Sequence, residues 1–91
     1  MIIHGANCFH AMGAGIAAQI AKRWPEALEA DRRTKHGERE KLGNYSVGTV
    51  ETSIGARLWV LNAYTQHRPG PDARIDAIEA VMDAIAEDFP D

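Results

Sequence analysis

Cysteine is almost absent from this 91-residue sequence, which contains only Cys8. One thiol cannot form a disulfide within the chain, so a disulfide-stapled fold is excluded. So few cysteines are typical of reducing compartments, and we expect a cytoplasmic protein. The sequence has no apolar run near the roughly 20 residues that cross a bilayer, and no basic-then-apolar signal peptide pattern. We therefore expect no association with a membrane.

An excess of positive charge is also missing. The chain has 10 Lys and Arg residues against 13 Asp and Glu residues, which gives a formal net charge of −3. Proteins that coat nucleic acids rely on clusters of Lys and Arg, so this balance argues against nucleic-acid binding. The content of 45% hydrophobic and 25% charged residues is that of an ordinary globular protein, and we expect one small domain over residues 1–91.

The stretch Ile2–Trp24 (IIHGANCFHAMGAGIAAQIAKRW) joins an apolar strand to a helix through a glycine-rich loop. Gly13 and Gly15 precede a run with helical spacing that begins at Ile16. The first N–H groups of a helix have no intrahelical partners and carry partial positive charge. Glycines leave these groups open to an approaching anion. The pattern therefore predicts a site for a phosphate or diphosphate.

Other interpretations of the glycine loop remain open. Gly13, Gly15 and Ala18 match the G-x-G-x-x-G/A fingerprint of dinucleotide-binding Rossmann folds. That fingerprint also requires a second strand with an acidic residue about 20 positions on, and the polar run DRRTKHGEREK (31–41) predicts no strand there. A Rossmann-type NAD-binding fragment is thus an alternative. A glycine turn that serves only tight packing is another.

Three side chains near the loop carry reactive groups. His4, Cys8 and His10 match no zinc-ligand spacing, and a lone thiol is most often a small buried residue. We therefore expect no metal and no cofactor. His10 precedes the glycine loop, where it is a candidate general acid or simply a surface histidine. Asn7 is a candidate for contacts with ribose hydroxyls or a turn-forming residue.

Hydrophobic periodicity predicts an α/β fold. A short strand is predicted at Ile2–Gly5, and a first helix from about Gly15 to Trp24. Pro25 is suited to the first turn of a second helix. The β-type runs Tyr45–Val50 and Leu58–Tyr64 predict two strands that pair as a hairpin, and the second run, apolar on both faces, is predicted to be central.

A last helix is predicted after the Pro/Gly break RPGP (68–71), with Asp72 as its N-cap. Apolar residues recur in it at three- and four-residue spacing and predict the face that packs on the sheet. These residues are Ile75, Ile78, Met82, Ile85 and Phe89.

Three ordered segments of the sequence resemble the macro domains of the bacterial and phage "Appr-1-p processing" type. They are ANCFHAMGAGIAAQIAKRWPEALEADRRT, the G-E-R-x-K-L-G pattern at Gly37–Gly43, and LNAYTQ at Leu61–Gln66. The resemblance implies a mixed β-sheet of about three to four strands flanked by helices, an incomplete α/β/α sandwich. It also implies binding of ADP-ribose or a derivative. Members of the family include ADP-ribose readers, ADP-ribose-1″-phosphate phosphatases and ADP-ribosyl hydrolases.

The resemblance also implies site residues. Asn7 would contact the distal ribose, and Tyr64 and Thr65 would lie near that same end of the ligand. The loop over the diphosphate would consist of Met12, Gly13, Ala14, Gly15 and Ile16. For hydrolysis of ADP-ribose-1″-phosphate, we take His10 as the candidate proton donor.

The sequence departs from the family pattern in three places. Macro domains carry an earlier Gly-Asp that recognises adenine and a later second glycine loop, and neither has a counterpart between Met1 and Asp91. We therefore expect weaker adenine selectivity. One hydrolase branch has a catalytic lysine where this sequence has Ala21, which disfavours lysine-dependent hydrolysis. A second hypothesis is a non-catalytic binding or interaction module that pairs with a further subunit, including another copy, through open sheet edges.

Overall fold

Three strands form one sheet in a computed structural model that describes residues 1–70 and 72–90. The strands are β1 (Ile2–Asn7), β2 (Tyr45–Glu51) and β3 (Arg57–Gln66). The helices are α1 (Gly15–Arg23), α2 (Pro25–Arg32) and α3 (Ile75–Asp88), and a 3₁₀ turn covers Arg39–Lys41. Pro71, from the predicted RPGP break, and Asp91, the end of the predicted domain, lie outside the described residues.

The sheet is mixed, with strand order β1-β3-β2. β3 runs parallel to β1 and antiparallel to β2, so the predicted hairpin and the predicted α/β fold are confirmed. Val60 and Leu61 of β3 point to opposite faces and are both fully buried. A strand buried on both faces must lie in the middle of a sheet that has helices above and below.

Each face of the sheet has its own hydrophobic cluster. On one face, α1 and α2 bury Ile20 and Ala27 against Val60. Gly48 of β2 permits this packing, because a Cβ atom there would lie 2.7 Å from the Ala27 backbone nitrogen. On the other face, α3 packs Val81 and Ile85 against Leu61 and Ala63. The result is a three-layer α/β/α arrangement.

The predicted N-cap of α3 is wrong, and the predicted packing face is right only at Ile85 and Phe89. The helix begins at Ile75 with Arg74 as N-cap, whereas Asp72 accepts a hydrogen bond from the Arg68 N–H in the preceding loop. Its buried residues are Ala77, Val81 and Ile85, while Ile75 is 75% exposed and Met82 is 49% exposed. Apolar residues occupy two neighbouring faces of α3. Periodicity alone predicted the row of larger side chains that begins with Ile75. The row that packs on the sheet begins with Ala77, and the two rows share Ile85.

Candidate functional site

A cavity of about 340 Å³ lies at the carboxyl ends of β1 and β3. Because these two strands are parallel, their ends meet at one edge of the sheet, the usual place for ligands in open α/β folds. We call it the glycine-loop cavity. Its lining consists of Gly5, Ala6, Asn7, Ala11, Gly13, Ala14, Ile16, Ala17, Gln66, Pro69 and Gly70.

The first turn of α1 supplies hydrogen-bond donors to this cavity. Its N-cap residue is Ala14, which has no side chain able to cap the helix. The described residues provide no acceptor for the N–H groups of Gly15, Ile16 and Ala17. The first turn has no acidic side chain to occupy this end of the helix. Three free donors and the positive end of the helix dipole therefore favour an anion here.

The two glycines of the loop serve different purposes. Gly15 has φ of +59°, in the left-handed region that favours glycine, and it turns the chain into α1. Gly13 has ordinary φ, and a Cβ atom added to it would meet nothing within 4 Å. Gly13 thus leaves space on the cavity side of the loop, where a larger side chain would occupy the room of a ligand.

Asn7 organises the loop between β1 and the glycines. Its amide Nδ2 donates to the Ala11 carbonyl over 3.0 Å, and its Oδ1 accepts from the Phe9 N–H over 2.9 Å. The side chain lines the cavity, but its hydrogen bonds hold the loop together. The turn-forming interpretation of Asn7 therefore describes its contacts in this structure.

The opposite wall of the cavity follows β3 and contains residues outside the predicted set. The Gln66 amide Nε2 donates to the carbonyl oxygens of Arg68 at 2.7 Å and Gly70 at 2.6 Å. These bonds hold the loop that presents Pro69 to the cavity. In the sequence, this wall corresponds to a polar strand end that is followed by Pro and Gly. That pattern indicates a cavity wall only when β3 is known to run parallel to β1.

His10 lies outside the lining of the glycine-loop cavity. Its φ is +58°, unusual for a residue with a side chain, and its Nε2 is 3.1 Å from Thr34 Oγ1. The same hydroxyl oxygen accepts from Lys41 Nζ at 2.8 Å. Burial lowers the pKa of the Lys41 ammonium below its ordinary value. His10 is thus directed toward α2 rather than toward the free N–H groups.

The hydroxyl of Thr34 borders a second cavity of about 480 Å³, next to the 3₁₀ turn. Tyr64 also lines it, but this side chain is 1% exposed and its hydroxyl donates to Asp31 Oδ1 over 2.7 Å. Burial, together with the bond to Asp31, raises the pKa of the Tyr64 phenol above its usual range. The structure thus places Tyr64 on the α2 side of the sheet, away from the glycine loop.

Of the other predicted ligand residues, Ala14 and Ile16 line the glycine-loop cavity, and Gly15 lies beside them in the chain. Met12 is buried in the hydrophobic cluster with Ile20. Thr65 is on the opposite face of the sheet from Tyr64, with its hydroxyl over Gly5. The structure therefore brings part of the predicted set to one cavity and distributes the rest around it.

The described part of the chain contains neither a cluster of metal ligands nor a membrane-spanning helix. No group of three metal-ligating side chains comes together in residues 1–70 and 72–90. Across the same residues, no helix has the length and apolar character to cross a membrane. Burial raises the pKa of the Cys8 thiol, which disfavours the thiolate that a nucleophile or metal ligand requires.

The chain is similar to a phage protein and to two solved structures. No family model matches the sequence. The chain is 44% identical over 82 residues to an uncharacterised 17.5 kDa protein from the tk-vs intergenic region of Enterobacteria phage T4, covering 89% of this chain and 52% of that protein. It thus spans about half the length of this curated relative.

Two solved structures share the fold. A macrodomain protein from Streptomyces coelicolor matches with a TM-score of 0.71 and 26% identity, over 99% of this chain and 60% of its own. The macrodomain of Mycobacterium tuberculosis DarG matches with a TM-score of 0.72 and 22% identity, over 98% of this chain and 58% of its own.

Proposed function

This chain is a macro domain in fold, and from that premise we propose that it binds ADP-ribose or a close derivative in the glycine-loop cavity. The observation that carries the proposal is the set of free N–H groups at Gly15, Ile16 and Ala17, which border a cavity left open by Gly13. The non-bridging oxygens of a diphosphate are suited to these donors. A chain with net charge −3 must hold such an anion by local contacts.

The rest of the lining fits the uncharged parts of a nucleotide sugar. Ala6, Ala11 and Ala17 provide small apolar surfaces, and Ile16 is 66% exposed at the mouth of the cavity. Gln66 and Asn7 contribute amides whose hydrogen bonds fix the two walls. A mostly apolar cleft with a few fixed polar groups is the common form of a small-molecule site.

The proposed activity is binding rather than turnover. Hydrolysis of ADP-ribose-1″-phosphate requires a group that activates water or protonates the leaving group. The lining described for the cavity contains no carboxylate, imidazole or amine, and His10 contacts Thr34 instead. We expect phosphate release from ADP-ribose-1″-phosphate to remain at the uncatalysed rate. Release that falls in a His10→Ala variant would instead establish a phosphatase in which His10 takes part.

Titration calorimetry with ADP-ribose tests the binding site. Gly13→Glu places a carboxylate and its side chain in front of the free N–H groups, and we expect affinity to fall at least tenfold, about 1.4 kcal/mol. Gly13 is preferable to Gly15 for this purpose, because the positive φ of Gly15 would add backbone strain to any substitution. The matched control is Ala56→Glu, an exposed site at the β2–β3 turn.

Equal affinity in wild type and Gly13→Glu, with both proteins folded by circular dichroism, would reject the site. Titration with intact NAD separates the remaining alternative. A Rossmann-type fragment binds NAD more tightly than ADP-ribose, whereas the proposed site requires the opposite order or equality.

A further inference from the structure

The cavity of about 480 Å³ beside the 3₁₀ turn is large enough for a small molecule. We call it the Lys41 cavity. Its walls come from the segment after α2, from the 3₁₀ turn and from the start of β2. The lining includes Thr34, Lys35, Glu38, Glu40 and Lys41. None of these residues lines the glycine-loop cavity, so the two cavities are separate places in the fold.

The side-chain amine of Lys41 has a fixed position on the wall of this cavity. Its Nζ donates to Thr34 Oγ1 over 2.8 Å and lies 5.0 Å from the centre of the Tyr64 ring. Thr34 Oγ1 uses its own hydrogen in a 2.6 Å bond to the Asp31 carbonyl, so it can only accept from Lys41. An amine that is already ordered loses less conformational entropy when a ligand binds to it.

The protonation of Lys41 decides whether this amine can react. A lysine is a nucleophile only in its neutral form, because the protonated amine has no free lone pair. Burial is the largest influence on Lys41 and lowers its pKa below the ordinary value, although the charges of Asp31, Cys8 and Glu38 oppose the shift. At a given pH below the ordinary lysine pKa, a larger share of this amine is therefore neutral than of an unperturbed lysine.

Titratable groups surround Lys41 from every element packed against it. The Tyr64 ring and the Asp31 carboxylate favour the ammonium form, and burial outweighs them. The full set consists of Asp31 of α2, Cys8 after β1, Tyr64 of β3, the wall residues Lys35, Glu38 and Glu40, and His10, whose Nε2 is 3.1 Å from the same Thr34 hydroxyl.

The charges of the lining favour an uncharged ligand. The carboxylates of Glu38 and Glu40 offset the ammonium groups of Lys35 and Lys41 in formal charge. Carboxylate oxygens also accept hydrogen bonds from hydroxyl groups. The lining therefore fits a small uncharged molecule that carries hydroxyls.

We propose that Lys41 is a covalent binding site for small uncharged hydroxyaldehydes, the class that includes the open-chain forms of reducing sugars. The Nζ lone pair attacks the carbonyl carbon and forms a C–N bond, while a proton passes from nitrogen to the carbonyl oxygen to give a hemiaminal. The hemiaminal hydroxyl then leaves with the remaining nitrogen hydrogen as water, and a C=N bond to Lys41 remains. No oxidant or reductant is needed, and hydrolysis reverses the reaction. The proposal does not rest on the function proposed for the glycine-loop cavity.

Reductive trapping with peptide mapping tests the proposal. The folded protein is incubated at pH 7 with glycolaldehyde and cyanoborohydride, which converts each imine into a stable secondary amine, and mass spectrometry measures the modified fraction at each lysine. Lys22 and Lys35, the other lysines of the chain, are both exposed and serve as internal controls. We expect Lys41 to be modified at least about fivefold faster than either, because its amine is ordered and less protonated. Modification of Lys41 that is no faster than at Lys22 and Lys35 overturns the proposal.

The pH dependence of trapping gives a second measurement. Because the pKa of Lys41 is lowered, its neutral form becomes populated at a lower pH, and the rate at Lys41 should level off at a lower pH than the rates at Lys22 and Lys35. Rates that rise in parallel at all the lysines would show an ordinary amine and reject the site.

Thr34→Val tests the positioning of the amine. Valine is similar in shape to threonine but lacks the hydroxyl that accepts from Lys41, so modification of Lys41 should fall to the level of Lys35. Thr49→Val is the matched control, because Thr49 is exposed on β2. Undiminished selectivity for Lys41 in a folded Thr34→Val protein contradicts the proposed geometry. If Thr34→Val does not fold, the wild-type lysine rates and their pH dependence still decide the proposal.

Propanal tests the ligand class, because it is similar in size to glycolaldehyde but has no hydroxyl. For each aldehyde, the rate at Lys41 is divided by the rate at Lys22, which cancels the intrinsic reactivity of the aldehyde. We expect a larger ratio for glycolaldehyde. An equal or larger ratio for propanal overturns the assignment to hydroxyaldehydes.

Discussion

Buried polar side chains between the sheet and α2 link all three strands. Asn62 Oδ1 of β3 accepts a hydrogen bond from His4 Nε2 of β1 over 2.6 Å. Its Nδ2 donates to Ser46 of β2 over 3.0 Å and to the Ala27 carbonyl of α2 over 2.9 Å. Slipping any strand by one residue would leave these buried groups unpaired, at a cost of about 1–3 kcal/mol each. The network therefore fixes the register of the sheet.

His67 is a buried histidine whose protonation affects the stability of the fold. It is 7% exposed, packs against the Phe9 ring at 4.9 Å, and its Nδ1 has no partner. Burial, with the nearby charges of Arg39 and Arg68, lowers its pKa below the ordinary value. A depressed histidine pKa contributes stability above about pH 6.5, which is lost as the pH falls through the folded pKa.

We predict that the free energy of unfolding declines between pH 7 and pH 5, and that His67→Leu reduces this decline because it removes the group that must become charged. Urea denaturation at several pH values measures both quantities. The control is His36→Leu, since His36 is exposed. An identical pH dependence in wild type and His67→Leu would show that other groups control acid stability.

Among the elements, α3 shows how the sheet selects one face of a helix. Ala77, Val81 and Ile85 form its buried row, and Ile75 begins its exposed one. Small Ala77 lets the first turn of the helix approach the sheet, where a larger residue would hold it away. Helix propensity and hydrophobic periodicity do not distinguish the two rows. Contact with Leu61 and Ala63 of β3 decides which row is buried.

We predict that Ile85→Ala lowers the free energy of unfolding by about 2–5 kcal/mol, because it leaves a cavity in the buried cluster. Ile75→Ala is the matched control at a 75% exposed position, and it should change stability by less than about 0.5 kcal/mol. Denaturant unfolding compares the two under conditions that keep the oligomeric state constant. A larger loss from Ile75→Ala would restore the face predicted from the sequence.

At the scale of the whole molecule, the two tyrosines connect the layers on opposite faces of the sheet. Tyr64 donates to Asp31 of α2, and Tyr45 donates to Asp88 of α3 over 2.5 Å. Desolvation and the bond to Asp88 raise the pKa of Tyr45 to about 12. The pKa of Tyr64 is raised as well, mainly by burial. Both layers therefore depend on protonated phenols.

We predict a loss of stability in alkaline solution. Because the folded pKa values exceed the unfolded value of about 10, this stabilisation is complete below pH 10 and is lost as the pH rises toward 12. The chain contains no other tyrosine, so phenolate absorbance reports these two groups while circular dichroism follows unfolding. Tyr45→Phe should reduce the alkaline loss. Phenolate formation near pH 10 in the folded protein would contradict the prediction.

The sequence by itself determined the local part of the candidate site. Gly13 and Gly15 before a helical run were enough to predict free N–H groups at a helix N-terminus, because helix starts and glycine conformation depend on neighbours in the chain. The apolar character of β3 likewise predicted a central strand, since it needs only to be counted along the sequence. The resemblance to macro domains, carried by these same segments, predicted the fold.

Only the tertiary structure decided what faces the glycine loop and what α3 leaves exposed. The wall at Gln66 and Pro69 exists because β3 runs parallel to β1. The residues of a strand do not determine whether it pairs parallel or antiparallel with its neighbour. Similarly, the placement of His10 against Thr34 depends on where α2 ends. Contacts between residues distant in sequence set these features, because side chains near in the chain can face different cavities once the layers have packed.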